Sequence, residues 1–250
     1  IELVMFFHNF IFLLFPIIFL TSCSSNYNWG WYIIDPRLDS GLSNIQFLID
    51  GLGITISISL LSICISLIIG FIIALPGLSN NKLLKIVNRT YIEIFRAIPL
   101  LVLLLWVYYG LPVIFSISVG AFLAGIISLS LSDAAFEAEI FRAGLQSIPN
   151  GQKDAAKSLG LNKFQELRLI ILPQAIRIIL PAIGNQFVYV LKMSSLVSII
   201  GLADLTRKAN ELVVTVYRPL EIYSFLVLEY LMLILIISYF IRRLEKKLKF

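Results

Sequence analysis

Apolar residues fill this chain in long runs, and polar residues collect in the stretches between them. After residue 50, five apolar runs are long enough to cross a bilayer, at about 54–75, 92–115, 119–136, 183–202 and 223–241. A helix of about 20 residues spans the hydrocarbon core, where every backbone polar group must be hydrogen-bonded internally. The pattern therefore predicts an all-α, polytopic membrane helix bundle with five core transmembrane helices.

A further apolar run precedes these five and ends in Leu20-Thr21-Ser22-Cys23. Residues 1–25 are interpreted either as an extra transmembrane helix or as a lipoprotein-like signal whose processed Cys23 would carry lipid. No Lys or Arg stands ahead of the run, where a secretory signal carries positive charge, so an uncleaved first helix is the favoured interpretation. In residues 26–50, three aspartates outnumber the single basic residue, Arg37, which suits an extracytoplasmic segment.

Lysine and arginine concentrate in three stretches between and after the apolar runs. These stretches are 82–89, 142–177 and 242–249. With five spans, all three fall on one side of the membrane, and an excess of basic residues marks the cytoplasmic side. The sequence thus predicts a multi-pass membrane protein with a membrane domain at 51–242 and a basic cytoplasmic tail at 243–250.

The polar stretch between the third and fourth runs carries helix start and stop signals. Pro149-Asn150-Gly151 begins a short helix, and Gly160 supplies the left-handed residue that ends it. The small side chains of Ala155 and Ala156 would allow close approach by a partner. The alternative is an ordinary amphipathic loop.

A second short helix is predicted directly after Gly160. Asn162 can cap it, with Gln165 three residues on completing a capping box. Pro173 and Pro181 are then expected to mark the return into the membrane. We call the predicted unit, residues 150–165, the helix–glycine–helix knob.

The knob carries a family motif. The run Gly151-Gln152-Lys153-Asp154-Ala155-Ala156-Lys157-Ser158-Leu159-Gly160, followed by Ile171-Leu172-Pro173-Gln174-Ala175, resembles the coupling loop of binding-protein-dependent ABC transporter permeases. In that family the motif reads Glu-Ala-Ala, three residues, then Gly, with Ile-x-Leu-Pro further on. Asp154 stands where Glu is usual and keeps the charge.

Further pieces resemble the polar amino acid (histidine/glutamine/glutamate-type) uptake subfamily. They are Tyr91-Ile92-Glu93-Ile94-Phe95-Arg96-Ala97-Ile98-Pro99-Leu100, Ala138-Glu139-Ile140-Phe141-Arg142, Ser147-Ile148-Pro149, Leu180-Pro181-Ala182-Ile183-Gly184-Asn185-Gln186 and Lys192-Met193-Ser194-Ser195-Leu196. The last departs from the subfamily's Lys-Asp-Thr-Ser-Leu, which weakens the transfer of substrate preference.

The resemblance implies a type-1 transmembrane permease domain at 51–242, in a bacterial cell (inner) membrane, with a cytoplasmic coupling loop at 142–173. It implies two permease copies, an ABC ATPase subunit that binds the ATP, an extracytoplasmic solute-binding protein and an amino acid substrate; no cofactor belongs to this chain. The residues it assigns to ATPase coupling are Gly151, Gln152, Asp154, Ala155, Ala156, Leu159, Gly160 and Pro173.

A substrate path or gate is predicted in the fourth span, at Lys192, Ser194, Ser195 and Leu196. A lone lysine inside the membrane costs about 2.5–3.5 kcal/mol on insertion scales, so Lys192 should face an aqueous path or a partner. The competing interpretation is structural pairing with Asp133 or Glu137. The two serines would either bond back to their own helix or offer hydroxyls to a solute.

Two ion pairs at i,i+3 spacing are predicted near the cytoplasmic helix ends. They join Glu93 to Arg96 and Glu139 to Arg142. An anchoring role suits this position better than contact with substrate.

Composition narrows the function classes. The chain is 59% hydrophobic and only 14% charged, whereas soluble domains average about 25% charged. The net charge of +5 does not indicate nucleic-acid binding, because the basic residues flank apolar runs as orientation signals do. The expected surroundings are membrane lipid.

Catalytic and metal-binding motifs are missing from the sequence. No G-x-x-x-x-G-K-[ST] occurs, and one histidine with two distant cysteines gives no metal site. A membrane enzyme is therefore disfavoured, and ATP hydrolysis is expected in a partner. An ATPase-independent channel or ion-coupled carrier stays open as an alternative; it would place charges deep in several spans, and Lys192 alone is expected there.

Overall fold

The computed structural model describes residues 27–248, which form helices joined by short connections. The predictions for residues 1–25, including lipid attachment at Cys23, lie outside this range. The chain divides after Trp31 into two compact units. In the described part of the smaller unit, the rings of Trp29 and Trp31 stack with centroids 5.4 Å apart.

Nine helices follow a 3-10 turn at Trp31–Ile34 in the described part of the chain. Their bounds are α1 Asp39–Ile49, α2 Gly51–Leu78, α3 Lys82–Ala97, α4 Leu100–Phe115, α5 Ala121–Gln146, α6 Asn150–Ser158, α7 Lys163–Ile200, α8 Leu205–Val216 and α9 Pro219–Leu248. Helix α4 contains a π-helical turn at Trp106–Gly110, and α7 contains one at Glu166–Ile171 and ends in a 3-10 segment at Ser194–Ile200.

Four of these segments are long and apolar enough to span a membrane: α1 with α2, α5, α7 and α9. The predicted span at 92–115 is not one continuous helix, because α3 and α4 meet at a bend of 95°; counted together as one broken span, this pair raises the number of spans from four to five. Pro99 causes the break. The residue before a proline is forced towards extended geometry, and Ile98 has φ −81° and ψ 122°.

Helix α7 begins about twenty residues earlier than the predicted fourth span. Pro173 and Pro181 were expected to mark its entry, but the helix runs through both. The π-helical turn stands directly before Leu172 and Pro173, where it accommodates the missing proline N–H. At 38 residues, α7 is roughly 57 Å long, so it extends well beyond a ~30 Å hydrocarbon core.

The core of the bundle is the contact between α2 and α5, which approach closely along small residues. Ser62, Ser66 and Gly70 recur every fourth residue on α2 and are buried. A Cβ atom at Gly70 would lie 2.6 Å from the Cβ of Glu137 on α5. Close packing through small residues is how helices associate in membranes.

The amphipathic helix α8 was not predicted from the sequence. Asp204 caps it by accepting the backbone N–H of Arg207 at 2.9 Å. Its buried Ala209 and Leu212 join a cluster with Leu48 and Ile222. Helix α8 therefore covers the end of the bundle where α2 starts, opposite the knob.

Candidate functional site

The knob has the local geometry that its sequence predicts. Gly160 has φ +73°, which confirms the left-handed residue after α6. Its N–H donates to the carbonyl of Lys157 at 2.9 Å. Asn162 Oδ1 accepts the N–H of Gln165 at 2.9 Å and Gln165 Oε1 accepts the N–H of Asn162 at 3.0 Å, which confirms the capping box.

The predicted coupling residues do not all reach the surface. Ala156 is 1% exposed and packs inward, whereas Ala155 is exposed. The other exposed members of the set are Gly151, Gln152, Asp154, Leu159, Gly160 and Pro173. A partner protein can therefore contact Ala155 directly, whereas Ala156 is covered by the rest of the chain.

Two apolar side chains beside the knob's glycine point into solvent. Leu159 is 77% exposed and Phe164 is 67% exposed. Large apolar groups exposed together mark surfaces that bind other proteins. Phe164 was missed from the sequence, although its place two residues after the cap Asn162 was a usable signal.

Lys192 and Ser195 lie near the end of the straight part of α7. Lys192 is exposed, and it forms no ion pair within residues 27–248. The hydroxyl of Ser195 donates to the carbonyl of Lys192 at 2.8 Å, and that of Ser194 donates to the carbonyl of Leu191 at 2.8 Å. Both serines thus bond back to their own helix, and Leu196 packs against the adjoining apolar cluster.

The structure does not pair Lys192 with an acid of the third span. Asp133 instead accepts hydrogen bonds from Ser66 and Gln186. Glu137 is fully buried, and neither carboxylate oxygen has a hydrogen-bond partner among the described residues. Pairing with Asp133 or Glu137 was the structural interpretation of Lys192, and it is wrong.

Lys192 is also not the single deep charge that the sequence suggested. Asp133 and Glu137 lie within α5, and Glu229 lies within α9 with its carboxylate buried. Asp133 and Glu229 both fall inside the apolar runs read from the sequence, so the signal was present. These acids are hard to recognise in the sequence because most of the residues around each of them are apolar.

The predicted ion pairs exchange partners in the structure. Glu93 pairs with Arg89 one turn earlier, at 2.6 Å, and Arg96 pairs across helices with Glu139. Arg142 hydrogen-bonds Gln146 at 3.0 Å rather than Glu139. The i,i+3 pairs are therefore wrong, because α3 lies beside α5 and offers Glu139 a closer cation.

Metal chemistry has no support in the described residues. No group of three or more His, Cys, Asp or Glu side chains within residues 27–248 could hold a metal ion. The candidate site is the exposed surface of the knob, which α5 and α7 join to a helix bundle that contains buried charged side chains.

Comparisons with known proteins agree with this architecture. Residues 66–250 match the family model described as binding-protein-dependent transport system inner membrane component. The chain is 34% identical over 206 residues to the glutamine transport system permease protein GlnP of Escherichia coli K12, covering 82% of this chain and 94% of that protein. It is 36% identical over 208 residues to the arginine transport system permease protein ArtQ of Bacillus subtilis 168, covering 83% and 95%.

Solved structures show the same helical fold. A chain of the crystal structure of an amino acid ABC transporter with histidines superposes with a TM-score of 0.80 at 38% identity, covering 88% of this chain and 100% of that one. An inward-facing structure of the MetNI methionine ABC transporter gives a TM-score of 0.72 at 22% identity, covering 83% and 99%, and this match bears on the fold alone.

Proposed function

This chain belongs to the family of binding-protein-dependent transport system inner membrane components, and from that premise we propose that it is the permease subunit of an ATP-driven importer for a polar amino acid. The observation that carries the proposal is the exposed helix–glycine–helix knob between α5 and α7. A permease of this class has no phosphate-binding loop and needs a surface through which an ATPase acts on it. The knob is such a surface.

The ATPase partner would bind the knob at Ala155, Leu159 and Phe164, which are exposed together with Gly151 and Gly160. The knob follows α5 by three residues, and its second helix is the start of α7. A displacement of the knob would therefore move two spans at once. Two copies pulled together by ATP-driven closure would rock between inward and outward access, as bistable rigid-body transitions do.

Three relatives support a polar amino acid as the substrate. Two carry glutamine and arginine in their names, and the amino acid ABC transporter whose crystal structure is described as 'with histidines' is 38% identical. In this chain the exposed ammonium of Lys192, which forms no ion pair within residues 27–248, would line the path between two permease copies. A positive group there favours the carboxylate end of an amino acid.

Orientation and the remaining partners follow from the same proposal. The knob and the basic tail lie on the cytoplasmic side, and residues 26–50 lie outside, where a solute-binding protein would deliver the amino acid. The ATP would be bound by the ATPase subunit. The excess of Lys and Arg beside the knob supports this orientation.

Co-purification tests the proposal. The tagged chain, extracted in a mild detergent from cells that express the whole transport operon, should retain an ATPase subunit in an equimolar ratio. The double variant Leu159→Ser/Phe164→Ser should lose it, while Leu83→Ser/Ile86→Ser, which alters exposed apolar residues on α3, should keep it. Recovery of the chain without any ATPase would contradict the proposal.

A second candidate is an ion-coupled carrier, which the buried acids Asp133, Glu137 and Glu229 favour. Acids inside spans form the proton relays of pumps and transporters. The two candidates differ in their energy source. A carrier would take up its amino acid in vesicles that contain this chain alone and an ion gradient, whereas the importer would not.

A further inference from the structure

A charged groove lies on the knob side of the bundle, apart from the exposed surface of the knob itself, and includes the ion pairs described above. It is formed where α2 ends, along one face of α3 and at the end of α5, and its volume is about 660 Å³. Its ionisable lining residues are Lys85, Arg89, Glu93, Arg96, Glu139 and Arg142. A volume of this size is in the range of small-molecule sites, about 300–1,000 Å³.

The groove carries more positive charge than its own acids neutralise. Glu93 is paired with Arg89, and Glu139 is paired with Arg96. Lys85 forms no ion pair within residues 27–248. The side chain of Arg142 donates a hydrogen bond to the neutral amide of Gln146 and forms no ion pair within the same range. Two cations on two different helices therefore face one groove without an acid of their own.

The position of α3 indicates what reaches this groove. The helix is bent by 95° from α4, so it does not continue the line of that apolar helix. The face away from the groove is apolar and uncovered, with Leu83 at 72%, Ile86 at 58% and Val87 at 55% exposure. A helix with one apolar and one basic face lies in the plane of a membrane interface, at the level of the lipid headgroups.

We propose that the groove binds the phosphate group of an anionic phospholipid, with Lys85 and Arg142 as its ligands. Basic pockets between transmembrane helices on one side of a membrane bind anionic headgroups, and an arginine guanidinium matches two phosphate oxygens at once. The bound phosphate would join α3 to Arg142 in the last turns of α5. Arg142 lies eight residues before the knob begins at Asn150. The proposal concerns binding and does not depend on the transport function.

Native mass spectrometry of the full-length chain tests this. The protein is purified in a neutral detergent, equilibrated with equal amounts of phosphatidylglycerol and phosphatidylcholine, and the retained lipids are counted. The wild type should retain phosphatidylglycerol in preference to phosphatidylcholine. Lys85→Gln/Arg142→Gln should lower this preference roughly 25-fold, since each basic residue near a membrane surface contributes about fivefold.

The matched control removes two charges elsewhere on the same side. Lys82→Gln/Arg168→Gln alters one residue of α3 and one of α7, neither of which lines the groove, and it should keep the preference. Lys85→Gln alone, at an exposed residue that forms no ion pair within the described range, serves if the double variant misfolds, and it should lower the preference about fivefold. Equal losses in groove and control variants, or no loss in either, would overturn the proposal.

A competition arm identifies the source of the phosphate. Millimolar inorganic phosphate that displaces phosphatidylglycerol from the wild type would show that the groove also takes soluble phosphate. Retention of the lipid at that concentration would assign the groove to lipid alone. Both results support a phosphate site, whereas a wild type that retains the two lipids equally contradicts it.

Discussion

The guanidinium of Arg96 on α3 bonds the carboxylate of Glu139 on α5 and lies 5.1 Å from the centre of the Phe136 ring. One cation thus links the end of α3, where the chain bends into α4, to α5, the helix that leads into the knob. Roughly 40% of each charged side chain remains exposed (44% and 38%), so the pair is screened in part by solvent.

A double-mutant cycle measures this link. Arg96→Gln and Glu139→Gln should each lower the thermal stability of the detergent-solubilised chain, with a coupling energy of about 0.5–1 kcal/mol, as expected for a half-exposed pair. Arg89→Gln and Glu93→Gln, a more exposed pair within α3, serve as the matched cycle and should couple more weakly. Additive effects in the Arg96–Glu139 cycle would show that the contact contributes no energy.

The left-handed glycine of the knob is predicted to be essential for coupling. Gly160→Val should abolish amino acid-stimulated ATP hydrolysis by the assembled transporter, because a β-branched residue resists φ +73°. A Cβ atom at Gly160 would meet nothing within 4 Å, so the loss would be conformational rather than steric.

Two control variants separate this cause from others. Gly160→Asn should retain substantial stimulation, since asparagine tolerates the left-handed region. Gly53→Ala should behave like the wild type, because Gly53 lies at the start of α2 away from the knob, is not left-handed and has open space around it. Full transport by Gly160→Val would refute the role of the knob.

Lys192 is predicted to act on transport and not on assembly. Since its ammonium has no ion-pair partner among the described residues, Lys192→Met should leave the melting temperature and the bound ATPase unchanged. Amino acid uptake into proteoliposomes should fall at least tenfold, and Lys192→Arg should recover part of it. A Lys192→Met variant that transports at the wild-type rate would remove Lys192 from the path.

The buried cap of α8 predicts a pH dependence of stability. Asp204 lies between α7 and α8 and is fully buried. Burial raises its pKa from 3.8 to about 6, against the opposing effect of the backbone N–H groups it accepts. Because the folded state then binds the proton more tightly than the unfolded state, this residue should cost stability as the pH rises from about 4 to 6.

Asp204→Asn isolates that contribution. The amide keeps the cap to the N–H of Arg207 but carries no charge. Melting temperatures of the wild type should therefore fall relative to those of the variant between pH 4 and 7, with a plateau above about pH 7. Parallel profiles over this range would show that Asp204 does not titrate between the folded and unfolded states.

Local signals explain what could be predicted from the sequence. Of the five predicted spans, four are long apolar helices and the fifth corresponds to the bent pair α3 and α4, because hydrocarbon leaves the backbone few alternatives to helix. Gly160, Asn162 and Gln165 specified the knob, because each acts on backbone atoms within four residues of itself. Interactions of this kind can be predicted from a short stretch of sequence, because both partners lie within it.

The features that were missed depend on which helices meet. The exchange of partners at Arg96 and Glu139 arises because α3 lies beside α5, and no spacing rule contains that contact. Glu137 could not be placed without the close approach of Gly70. The bend at Pro99 has a local signal, the proline itself. Because apolar residues flank Pro99 on both sides, the run at 92–115 nevertheless has the pattern of one continuous helix.

Uptake of labelled amino acid into sealed proteoliposomes tests the central claim most directly. The vesicles contain the chain with its ATPase, the solute-binding protein is added outside, and ATP is enclosed inside. We predict concentrative uptake of a polar amino acid that requires enclosed ATP, persists after an ionophore has collapsed the ion gradients, and is lost with Gly160→Val. Uptake that proceeds without ATP and stops with the ionophore would contradict the account and identify an ion-coupled carrier.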